Sequence, residues 1–301
     1  MSGTFTERPS VAKAGWGTRA PWWRRPPFPA LLAAVVAASI AAAIWFSSRP
    51  SGQPAWSTLG TTDVHSLAFV DGSADHLLFG HHEGVLESLN GGRTWEPLAT
   101  KVDAMALTAG SDRSVVVAGH DVLTASADGG ATWQPVSADL PSLDIHGFTR
   151  DPADPTRMWA YLATGGLWES TDGGLGWRRV REDNVAFPLA VPTQTGTRLL
   201  GVDASGLVAS DDGGRTWTAL GSPPTYPMTA LAASADLTVL YAGAPNGLFR
   251  SSDGGRTWQT TGYSGSAFAI ATTPDGLSVG VVSQATEFFR SSDGGATWTG
   301  P

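Results

Sequence analysis

Residues 251–258 read SSDGGRTW, and the same eight-residue pattern returns five more times along the chain. The other copies are SLNGGRTW (88–95), SADGGATW (126–133), STDGGLGW (170–177), SDDGGRTW (210–217) and SSDGGATW (291–298). Their tryptophans, Trp95, Trp133, Trp177, Trp217, Trp258 and Trp298, are separated by 38, 44, 40, 41 and 40 residues. A period near 40, with short alternating strands between turn signals, is the pattern of propeller blades of four antiparallel strands each. The sequence predicts an all-β chain folded as a single β-propeller of six four-stranded blades. Seven blades would require one that lacks its own copy of the turn.

The repeated residue types have a chemical reason. A short Asp side chain accepts hydrogen bonds from backbone N–H groups just ahead of it, and the Gly pair permits the positive φ angles of a tight hairpin. Asp128, Asp172, Asp212, Asp253 and Asp293 are expected to cap their own turns, and Asn90 keeps the acceptor in the first copy. Gly176 replaces Thr in the third copy, so that turn is expected to be looser. Each Trp supplies apolar surface for the gap between blades. These acids read as structural, because a carboxylate engaged by a turn is not free for acid–base work.

Working outward from the turns gives the strands. In blade one they are VHSLAFV (64–70), HLLFGHH (76–82), VLES (85–88) and TWEPL (94–98). Blade five repeats them as TALAAS (229–234), TVLYAGA (238–244), GLFRS (247–251) and TWQTT (257–261). The segment AWSTLG (55–60) resembles the residues that follow a turn, as in TWTALG (216–221), and is expected to close the ring beside blade six.

The amino-terminal part has a different character. From Phe28 to Ser48 no residue is charged, a length of about 21 residues that matches a membrane-spanning helix. Trp22, Trp23 and Trp45 bracket the run, and the basic residues before it place the amino end in the cytoplasm. The expected division is a cytoplasmic tail (1–27), a membrane anchor (28–48), a linker with a ring-closing strand (49–60) and the propeller (61–301) outside the cell. The rival is a secreted domain released by cleavage near Ala41–Ala43. The formal charge of -8 hides an asymmetry: beyond residue 49 there are 13 basic against 26 acidic residues. Such a body repels phosphate backbones, which argues against a nucleic-acid partner. There is no Cys, which excludes disulfides, thiolate metal sites and a cysteine nucleophile.

In an antiparallel meander successive connections fall on alternate ends of a blade. One end carries the repeated turns; the other carries the loops into each inner strand and the turns from second to third strands. Five of the six histidines, His65, His81, His82, His120 and His146, map to that second end, where propeller ligands are expected around the axis. The inner strands begin DVH (63–65), DAM (103–105) and DIH (144–146), so His65, Met105 and His146 occupy matching positions. The sequences GHH (80–82) and GHD (119–121) align His81 with His120. Imidazoles with a thioether nearby suit copper or zinc, and Asp63 and Asp144 are expected to stand behind the histidines and fix their tautomers. The bland alternative is that the acids cap turns while the histidines line a wet channel.

The repeated residues resemble the Asp-box, or BNR repeat, of the sialidase- and sortilin-like propellers, over about 250 of the 301 residues. The whole pattern is similar to bacterial Asp-box proteins of the glycosyl hydrolase-like and exo-alpha-sialidase-like kind, and more distantly to photosystem II assembly-factor propellers. Sialidases grip their substrate with three arginines, the first from a Phe/Tyr-Arg-Ile-Pro motif ahead of the first box. Here that motif is absent, and no Arg lies between Arg49 and Arg93. The resemblance implies a surface-anchored module binding a protein, peptide, glycan or metal at its axial face. The alternative it implies is a glycoside hydrolase, for which Glu83, Asp183 and Tyr226 are the candidate residues.

Overall fold

The structure, a computed structural model, describes residues 58–110 and 112–300. The expected membrane anchor, its basic tail and most of the linker lie outside the described residues. Among the described residues no helix is long and apolar enough to cross a membrane.

Six antiparallel sheets form in sequence order. Blade one is β1 (Ser66–Phe69), β2 (Leu77–His81), β3 (Gly84–Ser88) and β4 (Glu96–Pro97); blade two is β5 (Ala106–Ala109), β6 (Val115–Gly119), β7 (Val122–Ser126) and β8 (Gln134–Pro135). Blade three is β9 (Ile145–Arg150), β10 (Met158–Leu162), β11 (Gly166–Ser170) and β12 (Trp177–Arg181); blade four is β13 (Ala186–Thr193), β14 (Gly196–Asp203), β15 (Gly206–Ser210) and β16 (Thr218–Gly221). Blade five is β17 (Ala230–Ala233), β18 (Leu240–Ala244), β19 (Gly247–Ser251) and β20 (Gln259–Thr260); blade six has β21 (Ala269–Thr272), β22 (Val279–Val282) and β23 (Phe288–Ser291). The outer edge of blade six is completed from both directions. Thr299 bridges Arg290, and Thr58 bridges Glu287 with Leu59 N–H donating to the Thr286 carbonyl at 2.7 Å.

The turns are built as their chemistry demands. In the fifth copy the Thr257 hydroxyl donates to Asp253 Oδ2 at 2.6 Å and its N–H to Oδ1 at 2.9 Å. Ser251 Oγ accepts the Gly255 N–H at 2.8 Å, and the two glycines take φ of 72° and 88°. Asn90 reproduces this in the first copy, accepting the Thr94 N–H at 2.9 Å and donating Nδ2 to its hydroxyl at 2.8 Å. In the third copy Asp172 accepts only N–H groups from that side, from Leu175 and Gly176, because Gly176 brings no hydroxyl. In five copies, Trp95 at 3.0 Å among them, the indole N–H donates to the carbonyl of the second glycine.

Packing closes the ring. The core is divided into six apolar clusters, each drawing from two adjacent blades, and one of them joins Leu77 and Phe79 of blade one to Val282 and Phe288 of blade six. Trp95 meets Phe288 edge to face at 5.3 Å across that last seam. The second glycine of the first turn lies directly on the Phe288 ring: a Cβ on Gly92 would come within 2.0 Å of it. The six inner strands surround an axial cavity of ≈ 510 Å³, whose lining includes His65, Met105 and His146.

Candidate metal site at the axial face

The site grows out of how neighbouring blades are stitched at this end. The loop into β5 crosses the turn of blade one, with Ala104 N–H donating to the His81 carbonyl at 3.1 Å and Ser66 Oγ to the Ala104 carbonyl at 2.9 Å. The loop into β9 does the same to blade two. His120 bridges Asp144, and Asp121 N–H donates to the Leu143 carbonyl at 3.0 Å. Gly80 lets the first of these crossings pack close, since a Cβ there would lie 2.6 Å from the Ala104 carbonyl oxygen. Three blades thereby present one ridge of side chains: Asp63 and His65, then His82, Asp103, His120, and finally Asp144 and His146.

Four imidazoles and three carboxylates on this ridge fall into three overlapping groups with their donor atoms within 4.8 Å of one another. The blade-three end is the most regular. His120 Nε2 lies 3.2 Å from His146 Nε2 and 3.5 Å from Asp144 Oδ1, and His146 Nε2 lies 3.0 Å from that same oxygen. Metal bonds of about 2.0–2.2 Å at tetrahedral angles place donors about 3.3–3.5 Å apart, so this triangle has the size a bound ion requires. Behind it, His120 Nδ1 sits 2.5 Å from Asp103 Oδ2. A carboxylate on the far nitrogen fixes the tautomer and leaves Nε2 as the lone pair facing the triangle. His146 and Asp144 are about two-fifths exposed, so a further coordination position faces solvent.

At the blade-one end His65 Nε2 lies 3.0 Å from His82 Nδ1 and 3.5 Å from Asp63 Oδ1, with His82 Nδ1 2.7 Å from Asp63 Oδ2. Burial pushes the His65 imidazole below its ordinary value despite the acids beside it. The hydrogen bond to Asp63 raises His82. Burial pushes the Asp63 carboxyl up, but donation from the His82 backbone and ring and from Thr62 outweighs this and holds it below the usual range. Asp103 Oδ1 is buried, has no hydrogen-bond partner among the described residues, and lies 3.6 Å from His65 Nε2.

Several expected roles shift. Asp63, Asp103 and Asp144 each lie within a donor group, and Asp103 also stands behind His120. His81 is not on the ridge. It ends β2, is buried, stacks at 6.0 Å on Phe79, and accepts the Glu83 N–H at 3.3 Å through Nδ1. The cross-strand register explains this: His81 pairs with Gly84 and Gly119 with Val122, so the counterpart of His120 is His82. A shift of one residue sends a side chain to the other face of a strand. Met105 lines the same cavity as His65 and His146. His76, at the opposite end, pairs with Glu87 at 2.8 Å.

The three hydrolase candidates do not form a constellation among the described residues. Asp183 is exposed and 3.8 Å from Arg181, Tyr226 projects into solvent, and Glu83 is exposed beside His82. Nothing joins any of the three to another.

No protein-family model matches the chain, and no curated protein does. Solved structures do. A GH74 enzyme from Niastella koreensis superposes with a TM-score of 0.54 at 18% identity, covering 78% of this chain and 46% of its own. The GH74 xyloglucanase from Xanthomonas campestris gives 0.54 at 19% identity, covering 79% and 46%. YCF48 from Cyanidioschyzon merolae gives 0.49 at 19% identity, covering 81% and 87%. The likeness is one of fold. The chain spans about half the length of the two GH74 structures.

Proposed function

We propose that this propeller is a metal-dependent binding module, holding a divalent transition metal at its axial face and offering that ion's open position to a ligand. The observation that carries this reading is the triangle of His120 Nε2, His146 Nε2 and Asp144 Oδ1, with sides of 3.0–3.5 Å. Two imidazoles and a carboxylate are borderline donors that suit zinc or copper(II) better than a soft monovalent ion. When bound, the ion supplies a Lewis-acidic position. The residues orient it: Asp103 sets the His120 tautomer, and the stitched loops hold the three donors on separate strands and turns. The occupant of the open position is then an oxygen or nitrogen donor, as a peptide or glycan supplies. In the same reading residues 28–48 tether the domain to the membrane with the propeller outside, supported by the uncharged run and its basic flank.

The purified full chain, stripped with a chelator and dialysed against zinc or copper(II), should retain metal, and a His120→Ala/His146→Ala variant should retain less. Equal metal content in the two proteins would end this reading. The hydrolase alternative gains no residue from the structure, since its candidate groups are not brought together.

A further inference from the structure

Resting on the metal-binding reading above, we infer that the ridge is a two-ion centre: a closed site of four protein donors at its blade-one end and an open site of three between blades two and three, coupled through the Asp103 carboxylate. The three overlapping donor groups hold at most two ions at once. An ion in the middle group, His82, Asp103 and His120, uses up residues that both outer groups need. Ions in the two outer groups share no residue, and every histidine of the ridge then serves one ion.

Geometry favours the outer pair. The middle group is lopsided, with Asp103 Oδ2 at 2.5 Å from His120 Nδ1 but 3.9 Å from the nearest nitrogen of His82. The outer groups are compact, with donor separations of 2.7–3.5 Å on blade one and 3.0–3.5 Å on blade three. Asp103 has one oxygen for each. Its Oδ2 engages the blade-three ligand His120, and its buried Oδ1, without a hydrogen-bond partner among the described residues, lies 3.6 Å from the blade-one ligand His65. An ion on blade one fills that orphaned position and raises its donors from three to four, the number of a closed structural site. The buried polar atom is otherwise unexplained, and leaving one unpaired is costly.

Charge agrees. Three carboxylates against one divalent ion leave the ridge net negative; against two they bring it to a single positive charge, which an anionic ligand at the open position neutralises. The two ions differ in role. Three of the four blade-one donors are well covered, His65, Asp63 and Asp103 being 14%, 21% and 12% exposed with His82 the open one at 49%, while all three blade-three donors, His120, His146 and Asp144, are 39–44% exposed.

The test is metal stoichiometry on the full chain after chelation, using zinc for content and cobalt(II) for coordination. The expected result is two equivalents in the native chain, one in His65→Ala, one in His146→Ala, and none in the double variant. Sodium azide should change the cobalt spectrum of the His65→Ala protein, which keeps the open site, and leave that of His146→Ala unchanged. Asp103→Ala should weaken both ions, removing a direct donor from the blade-one ion and, at a cost of about 10–100-fold, the support behind His120 for the other. One equivalent in the native chain, lost on changing either His65 or His146, would overturn the two-ion centre while leaving metal binding intact. No bound metal would overturn both. Azide acting on both single variants would overturn the closed and open assignment. If an alanine variant fails to fold, His65→Gln and His146→Gln give the same readings.

Discussion

His120 Nε2 and His146 Nε2 approach to 3.2 Å although 26 residues separate them and they belong to different blades. What brings them together is backbone: His120 sits in the turn after β6, and the loop into β9 is bridged to it through Asp144. The donors are therefore placed by the same hydrogen bonds that join blade two to blade three. Changing them should cost metal rather than fold.

His81 supplies the internal control. His81→Ala should leave metal content unchanged while lowering the melting temperature, because its ring packs on Phe79 inside the blade. His82→Ala should do the reverse. Metal analysis beside a thermal melt separates the two, and an equal metal loss in both variants would place the register wrongly.

The first turn is expected to be a stability hot spot. Gly92→Ala puts a methyl 2.0 Å from the Phe288 ring at a φ of 86°, for an expected cost of about 3 kcal/mol or more. Gly173→Ala, at φ 79° with nothing within 4 Å, should cost only about 1–2 kcal/mol. Chemical denaturation of both variants measures the difference, which reports the contact that closes the ring.

A second seam is held by charge. The Glu169 carboxylate, buried between blades three and four, accepts from Arg157 at 2.8 Å, Arg178 at 2.8 Å and Arg215 at 2.9 Å. Glu169→Ala leaves three guanidinium groups facing each other and should cost about 3–5 kcal/mol. Arg178→Ala removes a largely exposed partner and should cost under about 1 kcal/mol. Comparable losses in the two variants would contradict this asymmetry.

Acid should unfold the propeller through its turns. Donation from the Thr132, Thr257 and Thr297 hydroxyls and N–H groups holds Asp128, Asp253 and Asp293 at about 2. In the unfolded chain Asp titrates near ~3.9. Because the folded value is the lower one, the stabilisation is fully present above about pH 4 and is lost as pH falls toward about 2. Tryptophan fluorescence between pH 5 and 2, at about half-unit steps, should show the loss. A variant carrying Asn at the three positions, as the first turn carries Asn90, should show a shallower dependence.

Much of the fold was legible in the sequence because each turn is local. The donors and acceptors of SSDGGRTW lie within four residues of one another, so six copies announce six blades without long-range information. The end of the molecule on which the histidines gather was equally legible, since it follows from strand alternation. Which histidine of the His81–His82 pair faces the ridge was not. That depends on Gly80 pairing with Val85 rather than Gly84, a cross-strand fact invisible in the letters GHH and GHD. The role of Asp103 was hidden for a similar reason: its partner His120 is fixed by the crossing of one blade's loop over another's turn. Glu83, Asp183 and Tyr226 share an end of the fold, but sharing an end does not make a site.

The most direct test of the account is an anomalous-difference map from crystals of the zinc-loaded chain. The account predicts a zinc peak about 2.0–2.2 Å from His120 Nε2, His146 Nε2 and an Asp144 oxygen. A zinc-loaded crystal with no peak between those three side chains, or with its peak at Met105 or His81 instead, would contradict it.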